Sequence, residues 1–168
     1  MALSDVTFNI RGRKFGAHKA ILAMGSPVFA AMFTHPTKEM LSGEVEVEDV
    51  DPDVFQEVLR YMYTGSPQST AMDTMALGLL AAAEKYLLDQ LKTRCESHLI
   101  RKMSAKNCLD LLTLTTHHPA EHLKKFAIEY FRSYPSEVMG TDNWKKLKEE
   151  NPALLCDLQQ MVLTAQTV

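Results

Sequence analysis

Residues 15–33, FGAHKAILAMGSPVFAAMF, decide the fold of this chain. They predict two short helices in succession. Ala20–Met24 forms a short apolar helix, which Gly25 ends because glycine tolerates the left-handed conformation after a last helical turn. Ser26 is a favourable N-cap for a second helix, and Pro27 at its first position loses no hydrogen bond. Apolar residues then recur at helical spacing and predict one buried stripe, formed by Val28, Phe29, Met32 and Phe33.

Strand patterns lie on both sides of this helical pair. Apolar and polar residues alternate over Val6–Ile10, which predicts a half-buried strand. After a turn at Gly12, Phe15–Ala17 returns as a second strand. Valines alternate with glutamates over Glu44–Val50, which predicts a third strand with one face toward solvent. The first part of the chain therefore combines a small sheet with helices.

Further helices follow the third strand. Asp51-Pro52 repeats the cap-plus-proline start, and the helix that it opens ends at Thr64-Gly65. We expect Tyr61 and Tyr63 of this helix in the core, where their hydroxyls would need partners. After a loop over Ser66–Thr70, two helices are predicted over Thr74–Tyr86 and Leu88–Ile100. In the second of these, apolar residues fall on one face: Leu88, Leu91, Cys95 and Leu99.

From Ser104 onward no strand pattern remains. Ser104 is predicted to cap a helix that extends to about Thr116, Pro119 and Pro135 separate later helices, and Asn151-Pro152 opens the last one. We therefore predict an α+β fold, with a mixed unit over residues 1–102 and an all-helical extension over residues 103–168.

Composition excludes several classes of protein. The 168 residues carry a net charge of −3 and are 46% hydrophobic, which argues against a disordered chain and against a nucleic-acid partner. The longest apolar run, Ala76–Ala83, is far shorter than the roughly 20 residues that span a membrane. Cys95, Cys108 and Cys156 form no CxxC pair, and the N-terminus lacks a secretory signal. We expect an intracellular protein of the nucleus or cytoplasm, with no membrane partner.

Catalytic chemistry has weak support. His117, His118 and His122 lie near Cys108 in the sequence, but adjacent histidines at a helix end point in different directions, whereas zinc ligands usually come in spaced pairs. A Cys108 nucleophile paired with His117 or His118 lacks a recognisable oxyanion element or orienting residue. The seven glycines are scattered and form no phosphate loop. We expect no enzyme activity, no cofactor and no metal.

Several motifs, in order, resemble those of a BTB/POZ domain. They are DVTF at 5–8, FGAHKAILA at 15–23, SPVFAAMF at 26–33, DPDVF at 51–55, LRYMYTG at 59–65 and LLAAAEKY at 79–86. The sequences of these motifs most resemble those of the speckle-type POZ protein group, whose members are adaptors for cullin-3 ubiquitin ligases. The helices after Ser104 resemble the truncated BACK segment of that group.

This resemblance implies a homodimer. Asp5, His18 and Lys19 match positions that line a charged pocket at the family's dimer interface, and Ile21 matches the helix that faces the partner protomer. From the residues alone, local capping explains the first three and core packing explains Ile21, so both interpretations remain open. Family members usually carry a helix before the first strand, and only four residues precede Asp5 here. We therefore expect a weakened dimer.

The resemblance also implies a contact with the N-terminal domain of cullin-3. In the family, a hydrophobic-x-Glu motif in the loop after the second helix makes this contact. The matching positions are Thr37, Lys38 and Glu39, followed by Met40. Burial of a large apolar side chain at the Thr37 position would contribute roughly 1.5–3 kcal/mol to the binding free energy, and a threonine loses much of that contribution. We expect weak binding, with Met40 or Leu41 as substitutes if the loop shifts register.

Two functions remain open. The first is an adaptor that self-associates and binds cullin-3, with substrate recognition supplied by a domain outside this sequence, since the substrate-binding MATH domain of the speckle-type group is absent from it. The second is a BTB oligomerisation module that does not engage cullin, as in transcriptional regulators. The helical extension favours the first function, and Thr37 favours the second.

Overall fold

The computed structural model describes residues 2–35, 37 and 41–164. The chain divides into two compact units, Met1–Cys95 and Glu96–Val168. The first unit contains the sheet and the second is helical, so the architecture is α+β as predicted.

The sheet of the first unit has three strands in the order β2-β1-β3. They are β1 (Val6–Ile10), β2 (Arg13–Ala17) and β3 (Glu44–Val47). β1 and β2 are antiparallel, with Val6 opposite Ala17, whereas β1 and β3 are parallel, with Thr7 opposite Glu44. The third strand ends at Val47, earlier than predicted, because the next residues turn toward the Asp51 cap and place Asp49 against Lys85.

Four helices lie wholly within the first unit, and a fifth contains the boundary between the two units. They are α1 (Lys19–Gly25), α2 (Pro27–Thr34), α3 (Pro52–Thr64), α4 (Ser69–Lys85) and α5 (Asp89–Arg101). α4 begins five residues before the predicted Thr74, because the four residues 65–68 suffice for the connection between α3 and α4. The predicted apolar face of α5 is confirmed, since Leu88, Leu91, Cys95 and Leu99 are all buried.

Four aromatic rings occupy the centre of the first unit. Phe29 stacks on Tyr86 with ring centroids 4.5 Å apart. Phe8 lies 5.7 Å from Phe29 and 5.1 Å from Phe55. All four side chains are fully buried, so β1 and three helical segments share one core. The other aromatic residues expected in this core, Phe33, Tyr61 and Tyr63, are only half-buried, as is Met32.

The helix boundaries around Gly25 confirm one expectation and correct another. The Ser26 hydroxyl accepts the Phe29 N–H at 3.3 Å, as expected of an N-cap. Gly25 lies inside α1 rather than in the left-handed region, and the chain leaves the helix through extended backbone at Ser26. A Cβ on Gly25 would lie 3.1 Å from Met62 Cε, the flexible end of that side chain, which would have to shift by a few tenths of an ångström to admit it. Gly65, at the C-cap of α3, does adopt the left-handed conformation, with φ 81°.

The second unit consists of short helices packed around one apolar cluster. They are α6 (Cys108–His117), α7 (Glu121–Ser133), α8 (Pro135–Met139), α9 (Asp142–Glu150) and α10 (Pro152–Thr164). Between Ser104 and Thr164 the structure contains no strand, as predicted. The cluster is formed by Cys108, Leu109, Leu112, Ala127, Ile128, Phe131, Val138, Leu158 and Val162.

The start of α6 corrects the prediction for Ser104, which does not cap a helix. Its backbone N–H donates to Asn107 Oδ1 at 2.7 Å, while Asn107 Nδ2 donates to the Lys102 carbonyl at 2.9 Å. The Asn107 side chain therefore closes a turn over residues 104–107, and α6 begins only at Cys108.

Candidate functional site

A hydrogen bond between the Asp5 carboxylate and the Lys19 backbone joins the start of β1 to the start of α1. Asp5 Oδ1 accepts the backbone N–H of Lys19 at 2.8 Å, and the Asp5 N–H donates to the Ala17 carbonyl at 3.1 Å. The N-cap residue of α1, His18, supplies no side-chain hydrogen bond to the helix. The first N–H groups of a helix lack intrahelical acceptors. The Asp5 side chain, from the residue before β1, supplies the acceptor for the Lys19 N–H and so caps α1 in place of His18.

His18 makes three hydrogen bonds, to two partner atoms. Its backbone N–H donates to the Tyr63 hydroxyl at 2.9 Å, its Nδ1 lies 2.7 Å from the same hydroxyl, and its Nε2 lies 2.9 Å from the Ala2 carbonyl. A carbonyl only accepts, so Nε2 donates to the Ala2 carbonyl, and in the tautomer that carries its proton on Nε2 the Tyr63 O–H donates to Nδ1. His18 therefore connects the N-terminal residues to α3.

The adjacent face of α1 is apolar and exposed. The side chain of Ile21 is 37% exposed and that of Met24 is 90% exposed, whereas Leu22 between them is fully buried. Residues three apart on a helix lie on one face, so Ile21 and Met24 form a single patch, called here the α1 patch. The structure thus brings Asp5, His18 and Lys19 together at one end of α1 and places Ile21 on its outer side.

The predicted cullin loop is only partly described. Thr37 is exposed, and its carbonyl accepts the Leu41 N–H at 3.2 Å. Lys38, Glu39 and Met40 lie outside the described residues. The side chain of Leu41 is 76% exposed, so the described end of this loop presents a large apolar group to solvent.

Sequence reasoning missed two contributors to these surfaces. Tyr63 was expected in the core, but its hydroxyl organises His18 at the edge of the site. The available signal was its polar tip, since a tyrosine hydroxyl needs a partner when it is removed from water. Met24 was expected only as part of an apolar helix, and a seven-residue helix gives too little periodicity to tell its outer face from its inner face.

The described residues contain no group of three or more His, Cys, Asp or Glu side chains arranged to hold a metal ion. Cys108 is buried, and its Sγ lies 3.5 Å from the Ala127 carbonyl. Burial raises the pKa of the Cys108 thiol to about 11, which leaves it protonated at neutral pH and unsuited to act as a nucleophile. Among the described helices, none has the length and apolar character to cross a bilayer.

Comparison with known proteins gives the class of protein. A family model for the BTB/POZ domain matches residues 1–103, and the chain therefore belongs to the BTB/POZ family. BTB/POZ domains are protein-interaction modules that commonly dimerise. The match covers the whole sheet, α1 to α5 and the surfaces described above.

Mouse proteins are among the curated relatives of this chain. The chain is 40% identical over 165 residues to TD and POZ domain-containing protein 4 of Mus musculus, covering 98% of this chain and 45% of the relative. It is 40% identical over 163 residues to TD and POZ domain-containing protein 1 of the same species, covering 97% of this chain and 45% of the relative. The chain therefore spans about half the length of these relatives, and the matches do not single out the speckle-type group.

Among solved structures, the BTB domain of zebrafish PATZ1 is similar to this chain. It matches with a TM-score of 0.48 and 25% sequence identity, over 59% of this chain and 77% of that domain.

Proposed function

We propose that this chain is a non-enzymatic adaptor module that forms a homodimer through the α1 patch and binds the N-terminal domain of cullin-3. The observation that carries the proposal is the exposure of Ile21 and Met24 on a helix with almost no polar side chains. Exposed apolar groups grouped on one face are typical of protein-interaction surfaces. BTB/POZ domains commonly dimerise, which agrees with a dimer contact at the α1 patch.

The dimer surface combines this patch with fixed polar groups. In an isologous contact, the same patch occurs on both protomers, so two α1 helices would face each other across the two-fold axis. Asp5, His18 and Lys19 lie at one end of the helix, held by hydrogen bonds to the backbone or to Tyr63. Lys19 takes part only through its backbone N–H, but the Asp5 and His18 side chains are already ordered by these bonds, so they would lose little entropy on association.

Sedimentation velocity at micromolar concentration tests the dimer. The wild-type chain should sediment as a dimer, and Ile21→Lys should sediment as a monomer because a charge in the contact would be desolvated without a partner. Leu163→Lys is the matched control, since Leu163 is 82% exposed and lies in the second unit. A monomeric wild type, or a dimer that Ile21→Lys leaves intact, would contradict the proposal.

We assign the cullin contact to the loop that contains Thr37, Lys38, Glu39 and Met40. Support comes from Leu41, whose exposed side chain supplies the apolar group that Thr37 lacks. The helical second unit, which follows the BTB domain as a BACK-like segment does, agrees with an adaptor. We further propose that a domain outside this chain supplies substrate recognition, and that the protein acts in the nucleus or cytoplasm, where all three cysteines stay free thiols.

Calorimetric titration with the cullin-3 N-terminal domain tests this second contact. Weak but measurable heat of binding is expected from the wild-type dimer. The alternative function, an oligomerisation module that does not engage cullin, is favoured by the small side chain of Thr37. A stable dimer that gives no heat with cullin-3 would establish that alternative.

A further inference from the structure

We propose that Ser66 is a phosphorylation site for a proline-directed serine/threonine kinase, and that Arg94 binds the resulting phosphate. Ser66 is exposed in the short connection between α3 and α4, and Pro67 follows it directly. Arg94 lies on α5, 28 residues later in the chain, with its guanidinium against this connection. This site is separate from the α1 patch and from the Thr37 loop, and it does not depend on the proposed function.

The backbone at Ser66 suits a kinase substrate. Residues 66–68 form no helix or strand, and a residue before proline is restricted to extended conformations. Gln68 is also extended, with φ −66° and ψ 140°. The Ser66 N–H donates to Thr64 Oγ1 at 3.3 Å, so the serine is positioned through its backbone. A kinase of this class binds an extended Ser-Pro segment with an accessible hydroxyl.

The Arg94 guanidinium is the phosphate partner. Its Nη1 donates to the Gly65 carbonyl at 3.0 Å and to Ser66 Oγ at 3.4 Å, and its Cζ lies 6.0 Å from the centre of the Tyr61 ring. No carboxylate of the described residues lies within 4 Å of it to form an ion pair. A phosphoserine carries about −1.5 to −2 charges at pH 7 and would provide the missing counter-ion.

The carboxylate nearest to this connection is already engaged. Glu57 is buried, its Oε2 accepts the Gln68 N–H at 3.2 Å, and its Oε1 lies 3.8 Å from Arg60 Nε. Arg60 therefore offsets the negative charge of Glu57 and leaves Arg94 for the phosphate. Bidentate hydrogen bonds between a guanidinium and phosphate oxygens are among the strongest in proteins.

The reaction is a phosphoryl transfer from Mg·ATP. Ser66 Oγ forms a bond to the γ-phosphorus, the bond between that phosphorus and the β,γ-bridging oxygen breaks, and ADP leaves with the electron pair. The hydroxyl proton passes to the catalytic base of the kinase. The phosphoryl group, now esterified to Ser66 Oγ in place of the hydroxyl proton, lies beside Arg94 and ties the connection between α3 and α4 to α5.

The chain contains a matched internal control. Ser26-Pro27 is the other Ser-Pro pair in the sequence, and it contains no Thr-Pro pair. Ser26 is fully buried, and its hydroxyl is hydrogen-bonded to Tyr86 and Phe29. The folded chain should therefore be modified at Ser66 alone, whereas the denatured chain should be modified at both serines.

The first experiment treats the full folded chain with a proline-directed kinase and Mg·ATP and locates phosphate by mass spectrometry. One phosphate on Ser66 is expected, none in Ser66→Ala, and an additional one on Ser26 after denaturation. An unmodified Ser66 in the folded chain, under conditions where the denatured chain is modified, would overturn the proposed site.

The second experiment tests Arg94 by ³¹P NMR titration of the phosphorylated chain. The second pKa of the phosphate should lie below that of a phosphoserine peptide, because a nearby cation favours the dianion. Arg94→Gln should return it to the peptide value, and Arg101→Gln on the same helix should not. A titration that Arg94→Gln leaves unchanged would overturn the role of Arg94.

Discussion

The Ser26 hydroxyl donates a 2.6 Å hydrogen bond to the carbonyl oxygen of Tyr86, 60 residues away in the sequence. Tyr86 follows the last turn of α4, where carbonyl groups lack intrahelical donors. The same hydroxyl accepts the Phe29 N–H, so one buried side chain satisfies the start of α2 and the end of α4. The stacked rings of Phe29 and Tyr86 lie beside this connection.

Ser26→Ala should therefore destabilise the chain more than the loss of an ordinary N-cap. Removal of the Ser26 hydroxyl leaves the Tyr86 carbonyl and the Phe29 N–H buried without partners, and each unpaired group costs about 1–3 kcal/mol before the structure relaxes. We expect a total loss of about 2–4 kcal/mol in the free energy of unfolding, measured by urea denaturation. The exposed Ser66→Ala is the control and should change stability by less than about 0.5 kcal/mol. Equal effects of the two substitutions would contradict this role.

Tyr63→Phe should loosen the N-terminal residues and weaken the dimer. The substitution removes both hydrogen bonds between the Tyr63 hydroxyl and His18, each worth about 0.5–1.5 kcal/mol. Hydrogen exchange at the His18 amide should accelerate, and the dimer dissociation constant should rise. Tyr134→Phe, a half-exposed tyrosine of the second unit, should leave both measurements unchanged. Unaltered exchange at His18 in Tyr63→Phe would show that this network does not order the site.

Thr37→Met should strengthen cullin-3 binding by about 1–2 kcal/mol, because it adds apolar area to a partly filled contact. Leu41→Ala and Glu39→Ala should weaken binding, the first through lost apolar burial and the second through lost charge. Calorimetry with the cullin-3 N-terminal domain measures all three changes. Leu87→Ala is the control, since Leu87 is half-exposed and lies outside the Thr37–Leu41 segment. If none of these substitutions in the loop changes affinity, the cullin contact is not made there.

Asp49 should make stability pH-dependent in the acid range. The hydrogen bond from Lys85 Nζ lowers the pKa of the Asp49 carboxyl below its usual 3.8, and partial burial opposes this only in part. A carboxyl with a lowered folded-state pKa stabilises the fold above pH 3.8, and this contribution disappears as pH falls through the folded-state pKa. The pair is exposed, so Asp49→Asn should cost only about 0.2–1 kcal/mol at pH 7.

Urea denaturation at several pH values checks this expectation. The difference between wild type and Asp49→Asn should persist at pH 7 and vanish once the wild-type carboxyl is protonated. Glu150→Gln, at the exposed end of α9, is the control and should show no such convergence. A difference that remains constant down to the lowest pH would assign the effect to something other than the charge of Asp49.

Local features of the fold were predictable from the sequence because they depend on adjacent residues. Ser26-Pro27, Asp51-Pro52 and Asn151-Pro152 each start a helix where expected, and each side chain accepts a nearby N–H. An N-cap side chain and a proline at the first helical position act over two or three residues. The local sequence alone therefore predicts where such a helix starts. Alternating patterns located β1 for the same reason, since side chains alternate across a strand.

The predicted ends of helices and strands were wrong where a distant or competing side chain formed hydrogen bonds at the boundary. Asn107 displaced the start of α6 from Ser104, and the Lys85 ammonium holds Asp49 just after the end of β3. Gly25 was assigned a left-handed conformation, whereas it lies inside α1 and the chain leaves the helix through extended backbone at Ser26. Propensity describes what a residue tolerates, and packing selects among the tolerated conformations.

Only the tertiary structure determined the candidate sites. The pairs Asp5–Lys19, His18–Tyr63 and Ser66–Arg94 are separated by 14, 45 and 28 residues, and no pattern in the sequence connects their members. The outer face of α1 was likewise undetermined by the sequence, because its seven residues are mostly apolar and every side of the helix is suited to burial. Sequence specifies the local hydrogen bonds of each helix and strand, whereas the burial of Leu22 and the exposure of Ile21 arise only when these elements pack around a shared core.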